Sequence, residues 1–345
     1  MKLIVRFVII FLGFLFSKNL YVNYAWELFE YTQSAENSAL GGAVYAFNSE
    51  SSTSINNPNF SKLRKNNFSI THQNRYSGML VNDFISFDID NNKKNININF
   101  IYENIGLIPN TENTLLDWGN DGQFGTNDAG EGNGILDPGE RLDADKISFF
   151  NQRRLGFYGG YSGFLINYPL GVGLKIISTK IEQKISFGIG FDIGIIRKFR
   201  NIDYAIILEN FPSSGILWND GEIEKTSPSL KIGLNKCFSL KKIKYNLLIA
   251  NKISISERHI NSQIRIDNLS VDFLFGLQIS FKDKLFLRFG RNHINNLTGG
   301  IGFLFRDFKI DYAFLNSTTN YNLGSHHIFS FHLSNKWIKK KIKNL

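Results

Sequence analysis

The residues best equipped for chemistry are crowded into one glycine-rich stretch, 117–145, which reads DWGNDGQFGTNDAGEGNGILDPGERLDAD. It gathers Asp117, Asp121, Asp128, Glu131, Asn133, Asp137, Glu140, Asp143 and Asp145. These are hard oxygen donors on a backbone that turns tightly, which is what Ca2+ requires. The part from Glu131 to Glu140 follows the later half of an EF-hand-type loop: Asn133, the turn glycine Gly134, apolar Ile135, Asp137 and a closing Glu140. The first ligand is out of register, because Ala129 stands where an acid belongs and Asp128 lies one residue early. The expectation is a calcium loop held by Asp128, Glu131, Asn133, Asp137 and Glu140, against the plainer alternative of a solvated acidic loop.

Nothing else in the chain has the spacing of a catalytic or metal centre. There is no G-x-S-x-G, H-E-x-x-H, C-x-x-C or phosphate-binding glycine loop, so no enzyme activity is expected. The single cysteine, Cys237, excludes an intramolecular disulfide and falls on the strand face shared by Ser229, Lys231, Gly233 and Asn235. His326 and His327 open the last apolar segment with no partner at ligand spacing, which suits a surface position. The net charge of +9 is spread among Asn and Ile rather than gathered into a stripe, which argues against a nucleic-acid partner.

The elements that position the acidic stretch have a period of two. From Ile185 the apolar residues are Ile185, Phe187, Ile189, Phe191, Ile193 and Ile195, and between them stand Ser186, Gly188, Gly190, Asp192 and Gly194. Ile96, Ile98, Phe100 and Tyr102 alternate in the same way with Asn95, Asn97 and Asn99, and Val271 to Phe281 repeats the pattern. On a helix this spacing would scatter both types around the axis; only a strand separates them. About fourteen such segments can be read between 68 and 335, mostly joined by short connections, which predicts an antiparallel up-and-down meander. The large, uncharged residues run for about ten positions on one face, the length of a tilted membrane strand, with Gly, Ser, Asn, Asp and Lys on the other. Asp83 and Asp203 fall on the apolar face in this register.

The fold class expected is therefore all-β, a transmembrane antiparallel up-and-down β-barrel of about 14 strands. Ahead of it, Lys2 and Arg6 flank an apolar run from Leu3 to Phe16, the pattern of a secretory signal peptide, with cleavage expected after Ala25. The divisions are a signal peptide at 1–25, an N-terminal segment at 26–66 and a barrel at 67–336. The barrel carries an acidic insertion at 105–146, and a basic tail follows at 337–345.

Ala39, Leu40, Gly41, Gly42 and Ala43, followed by Asn57 and Pro58, carry a resemblance to a known family. So do GVGLKIIS at Gly171–Ser178, GFDIGII at Gly190–Ile196, LENF at Leu208–Phe211, LRFGRN at Leu287–Asn292, and GGIGFLF with IDYAF at Gly299–Phe314. In order and content these segments resemble the PorV/PorQ family of Bacteroidetes-type outer-membrane proteins, relatives of the FadL-like barrels. Asn59 and Phe60 depart from the family turn, where Ala and Gly are usual.

The resemblance implies a FadL-like barrel in the outer membrane of a Gram-negative cell, with the N-terminal segment folded into the lumen as a plug. Leu40, Gly41, Gly42, Ala43, Asn57 and Pro58 would be its family residues. It also implies two functions: a cargo-receiving component of type IX secretion or surface protein assembly, or a FadL-like channel for hydrophobic or small-molecule solutes. The expected partners are outer-membrane lipid and, under the first function, secreted cargo C-terminal domains and type IX secretion components. Apart from Ca2+, no cofactor is expected.

Overall fold

The computed structural model describes residues 26–31, 34–49, 54–63, 67–91, 94–165, 168–255, 262–316 and 324–334. The signal segment and the basic tail lie outside these residues. The first strands are β1 (Asn67–Arg75), β2 (Leu80–Asn91) and β3 (Lys94–Asn110), followed by the short β4 (Leu115–Leu116) and β5 (Arg141–Leu142). Next come β6 (Ser148–Leu165), β7 (Tyr168–Ile181), β8 (Lys184–Phe199), β9 (Ile202–Glu209), β10 (Ser214–Trp218) and β11 (Ile223–Thr226). The chain continues through β12 (Ser229–Leu240), β13 (Ile243–Ile255), β14 (Ile264–Ile266), β15 (Leu269–Phe281) and β16 (Leu285–Arg291). It ends with β17 (Leu297–Phe305), β18 (Phe308–Leu315) and β19 (His326–Ser334).

Of the 17 strands in the main sheet, 14 close a ring of antiparallel neighbours, and β10, β11 and β14 extend it. The ring closes where β1 meets β19, from Asn67 opposite Ser334 to Asn74 opposite His327. At one end the links between ring strands are two or three residues long, at 92–93, 166–167, 200–201, 241–242, 282–284 and 306–307. The other end carries the longer ones, including 111–147, 256–268 and 316–325. In outer-membrane barrels the short turns face the periplasm and the long loops face outward.

The period of two sorts side chains between an apolar exterior and an enclosed interior. On β8, Phe187 is 56% exposed, whereas its neighbour but four, Asp192, is 2% exposed. Phe100, Leu155, Phe289, Ile301 and Phe329 lie on the same exterior with Phe187, where water would be a poor solvent for them. Asp83 also lies on this exterior, paired with His72 at 2.8 Å. Asp203 does not: β9 turns Asp203, Ala205, Ile207 and Glu209 inward, and Asn235 donates to Asp203 at 3.0 Å. A one-residue register shift moves a whole strand to the other face, which corrects the assignment of Asp203.

Two further expectations are corrected. β3 runs on to Asn110, inside the stretch 105–146 assigned to the insertion. His326 is buried, 4.5 Å from the Tyr76 ring centroid, rather than at the surface. Between β9 and β12, β10 and β11 form a hairpin whose first strand pairs with β8.

Candidate functional site

The interior is occupied by the N-terminal segment, which begins with two short helices, α1 (Glu27–Tyr31) and α2 (Ala35–Ala39). Ser34 caps α2 by accepting from the Asn37 amide at 3.3 Å, the standard use of a serine at a helix start. Leu40, Ala43, Val44, Tyr45 and Phe47 then pack on Ala205, Ile207, Leu248, Ala250 and Leu274 of the inner wall. Trp26, Leu28, Phe29 and Ile55 pack against Phe84, Ile101, Tyr158, Ile177 and Ile216.

The segment rests on glycines because its backbone comes closer to the wall than a side chain allows. A β-carbon at Gly276 would stand 2.8 Å from the Leu40 carbonyl oxygen, and one at Gly300 would stand 2.6 Å from the Ala39 β-carbon. On the opposite side of the lumen, one at Gly171 would stand 2.1 Å from the Asn59 nitrogen, and one at Gly194 would stand 2.4 Å from Asn57 Oδ1. Glycine in a strand interior marks such close approach. Asn57 also donates to the Tyr45 carbonyl at 3.0 Å, linking the two halves of the segment. Leu40 and Gly41 thus sit against β15 and β16, Ala43 joins the cluster with Ala205 and Leu248, and Asn57 and Pro58 sit against β7 and β8.

Three polar clusters join the segment to the wall. Glu36 pairs with Arg288 at 2.8 Å and with Lys309; Arg288 also reaches Asp311 at 2.7 Å and Gln278 at 2.7 Å. Tyr31 bonds to Glu103, which pairs with Arg154, while Arg75 donates to the Tyr31 carbonyl at 2.7 Å. Glu30 pairs with Lys252, which lies 3.9 Å from Glu209; Glu209 pairs with Lys231 at 2.8 Å, and Lys175 joins Asp192 at 2.9 Å. Buried charges require partners of this kind. Glu27 has no such ion pair among the described residues; its side chain reaches solvent, but the desolvating surroundings and the nearby Glu30 carboxylate push its carboxyl up to about 7.

Beside the third cluster the wall ladder breaks. β9 pairs with β8 only as far as Leu208 opposite Ile193, and pairing resumes with β10 at Gly215 opposite Ile189. Between them the chain steps away through 210–213, held by the Phe211 amide on the Phe191 carbonyl at 2.8 Å and the Asn210 amide on Asp192 at 2.9 Å. The inner apolar cluster reaches this break: a β-carbon at Gly190 would stand 2.3 Å from Ser214 Oγ and 3.2 Å from the Trp26 ring. Outside it lie Ile195, Ile206, Leu208 and Leu230, one apolar cluster.

At the long-loop end, the acidic insertion is closed at its base by the β4–β5 ladder. Its carboxylates fold inward on backbone amides. Asp117 accepts from Gly132 at 2.8 Å and from Gly134 at 2.7 Å, and the Gly134 amide chiefly holds its carboxyl below the usual range. Asp128 accepts from the Asp121 amide at 2.9 Å, Glu131 from the amides of Gly125 and Asn127, and Glu140 from Gly119 at 2.8 Å and Asp137 at 2.9 Å. Asn133 donates to Asp137 at 2.7 Å. Among the described residues, no three His, Cys, Asp or Glu side chains converge as a ready metal centre. Cys237 is exposed near the short-turn end.

The ion-pair clusters and the wall break are the parts that sequence reasoning missed. Their members lie up to 273 positions apart, as Lys309 and Glu36 do, so no local spacing announces them. Pro212, just beyond β9, is the one local signal of the break.

No protein-family model matches the chain, and no curated protein sequence matches it. The fold has clear counterparts. The Pseudomonas putida toluene transporter TodX superposes with a TM-score of 0.50 at 12% identity, over 87% of this chain and 96% of that one. The CymD monoaromatic hydrocarbon channel gives 0.50 at 11% identity, over 88% and 97%. The architecture is accordingly a closed antiparallel β-barrel of 14 strands, the fold that TodX and CymD also have.

Proposed function

We propose that the chain is an outer-membrane channel for small molecules with an apolar body, which pass between the lumen and the bilayer through the wall break at 210–213. One observation carries this reading: the inner apolar cluster around Trp26, Phe29 and Ile216 runs up to a gap in the strand ladder, and a second buried apolar cluster, Ile195, Ile206, Leu208 and Leu230, lies beyond it. A solute leaving there meets hydrocarbon without crossing the polar rim, so its transfer costs less than exit into water. The fold shared with TodX and CymD supports the reading, since those proteins are described as a toluene transporter and a monoaromatic hydrocarbon channel.

In this reading the N-terminal segment is a plug whose three polar anchors set how readily it shifts. The test is uptake of toluene into proteoliposomes. Gly190→Leu, which crowds the break, should slow uptake; unchanged uptake in a folded variant would remove the lateral route.

The alternative, a receiver of secreted protein cargo in type IX secretion, rests on the PorV/PorQ resemblance of the motif segments alone. Pull-down of secretion components from native membranes would favour it over the channel. For the acidic insertion we propose Ca2+ as ligand, supported by the density of carboxylates such as Asp117, Asp128, Asp137 and Glu140 on a backbone rich in turning glycines.

A further inference from the structure

We propose that the outer wall over β6 and β7 seats one anionic phospholipid, with an acyl chain in an apolar groove and the phosphate between Arg153 and Lys180. The groove has a volume of about 360 Å3 and is lined by Ile85, Phe100, Leu155, Phe157 and Ile176 together with Asp83, Tyr102 and Ser178. It is comparable with the smaller sites that enclose small molecules, which span ~300–1,000 Å3. It opens on the face of the barrel that carries Phe187 and Phe289, so hydrocarbon is what meets it.

The strand register places the two cations directly above the groove. Leu155 is paired with Ser178, and two residues further toward the long-loop end Arg153 is paired with Lys180. Side chains two apart share a face, so Arg153 and Lys180 project on the same side as the groove lining. Both are exposed, and no ion pair engages either among the described residues. The interior cations Lys175, Lys231, Lys252, Arg288 and Lys309 are each paired.

Nearby carboxylates are already engaged. Asn110 donates to Glu182 at 3.1 Å, and His72 pairs with Asp83 at 2.8 Å. The next residue in the row, Asn104 opposite Arg153, carries no charge. Two adjacent unpaired cations at the rim with an apolar groove beneath them match an amphipathic anion such as a phosphate-bearing membrane lipid. The proposal rests on the membrane placement of the barrel but not on solute transport, so failed toluene uptake would leave it standing.

The test is native mass spectrometry of the full barrel in detergent, titrated with phosphatidylglycerol. The wild type should retain one lipid. The Arg153→Ala/Lys180→Ala pair should bind it roughly thirtyfold more weakly, two cations' worth of headgroup attraction. Ile176→Trp, which fills the groove without altering charge, should lose it as well. Lys236→Ala removes an exposed cation near the short-turn end and should retain the lipid as the wild type does. Wild-type affinity in the Arg153/Lys180 variant or in the folded groove variant would overturn the proposal. Equal weakening in Lys236→Ala would do the same, since that marks unspecific charge attraction.

Discussion

Gly41 and Gly290 meet backbone to backbone: a β-carbon on Gly290 would stand 2.3 Å from the Gly41 nitrogen, and one on Gly41 would stand 2.5 Å from the Arg291 carbonyl oxygen. Gly41 also holds a φ of +64°, a conformation that L side chains rarely adopt. Both positions are therefore closed to larger residues, from opposite sides of one contact.

Gly290→Ala should lift the segment from the wall at a cost of about 1–3 kcal/mol, the usual range for overpacking. Lower thermal stability, together with new protease cleavage near Ser34, is the expected result. Cleavage confined to the outer loops would show that the contact is not an anchor.

Glu36→Gln leaves Arg288 and Lys309 buried with Asp311 still beside both. Breaking a buried pair from one side costs about 3–5 kcal/mol. Urea unfolding of the barrel in lipid should show a midpoint lowered to match.

Glu27 gives the segment a pH dependence. Its carboxyl keeps a proton up to about 7 in the folded chain, against 4.5 for a free glutamate. Between these values the folded state binds the extra proton, so stability falls as pH rises through this window. Thermal unfolding at about pH 5 and about pH 8 should therefore differ, and Glu27→Gln should shrink the difference.

The acidic insertion should bind Ca2+ with a dissociation constant on the order of 10⁻⁴–10⁻³ M, the range of extracellular modules. Calorimetry should show heat that disappears in Asp137→Ala and Glu140→Ala, and chelation should make the loop between β3 and β6 easier to cleave. Equal heat in both variants would remove these residues as ligands.

The strands were legible because a period of two is a local property, readable from Ile185 to Ile195 without any knowledge of neighbours. The register was less so: Asp203 could be placed correctly only once Asn235 was known to lie opposite it. Leu40–Ala43 and Asn57–Pro58 stood out as motifs, but their role as resting points depends on Gly276, Gly290, Gly171 and Gly194, glycines drawn from four separate strands. Lumen ion pairs such as Glu36 with Lys309 depend on ring closure, which no sequence window contains.

The union of β1 with β19 also governs the order of assembly. Until the last strand arrives, the first has an unsatisfied edge, and an open edge invites pairing with other chains. The segment ahead of β1 holds bonds to both closing partners of the seam, Ala35 to Ser330 at 2.7 Å and Arg75 to Tyr31 at 2.7 Å. The molecule thus encloses its own leading end as the seam seals, so an insertion machinery must deliver the two extremities together rather than thread one through a finished wall.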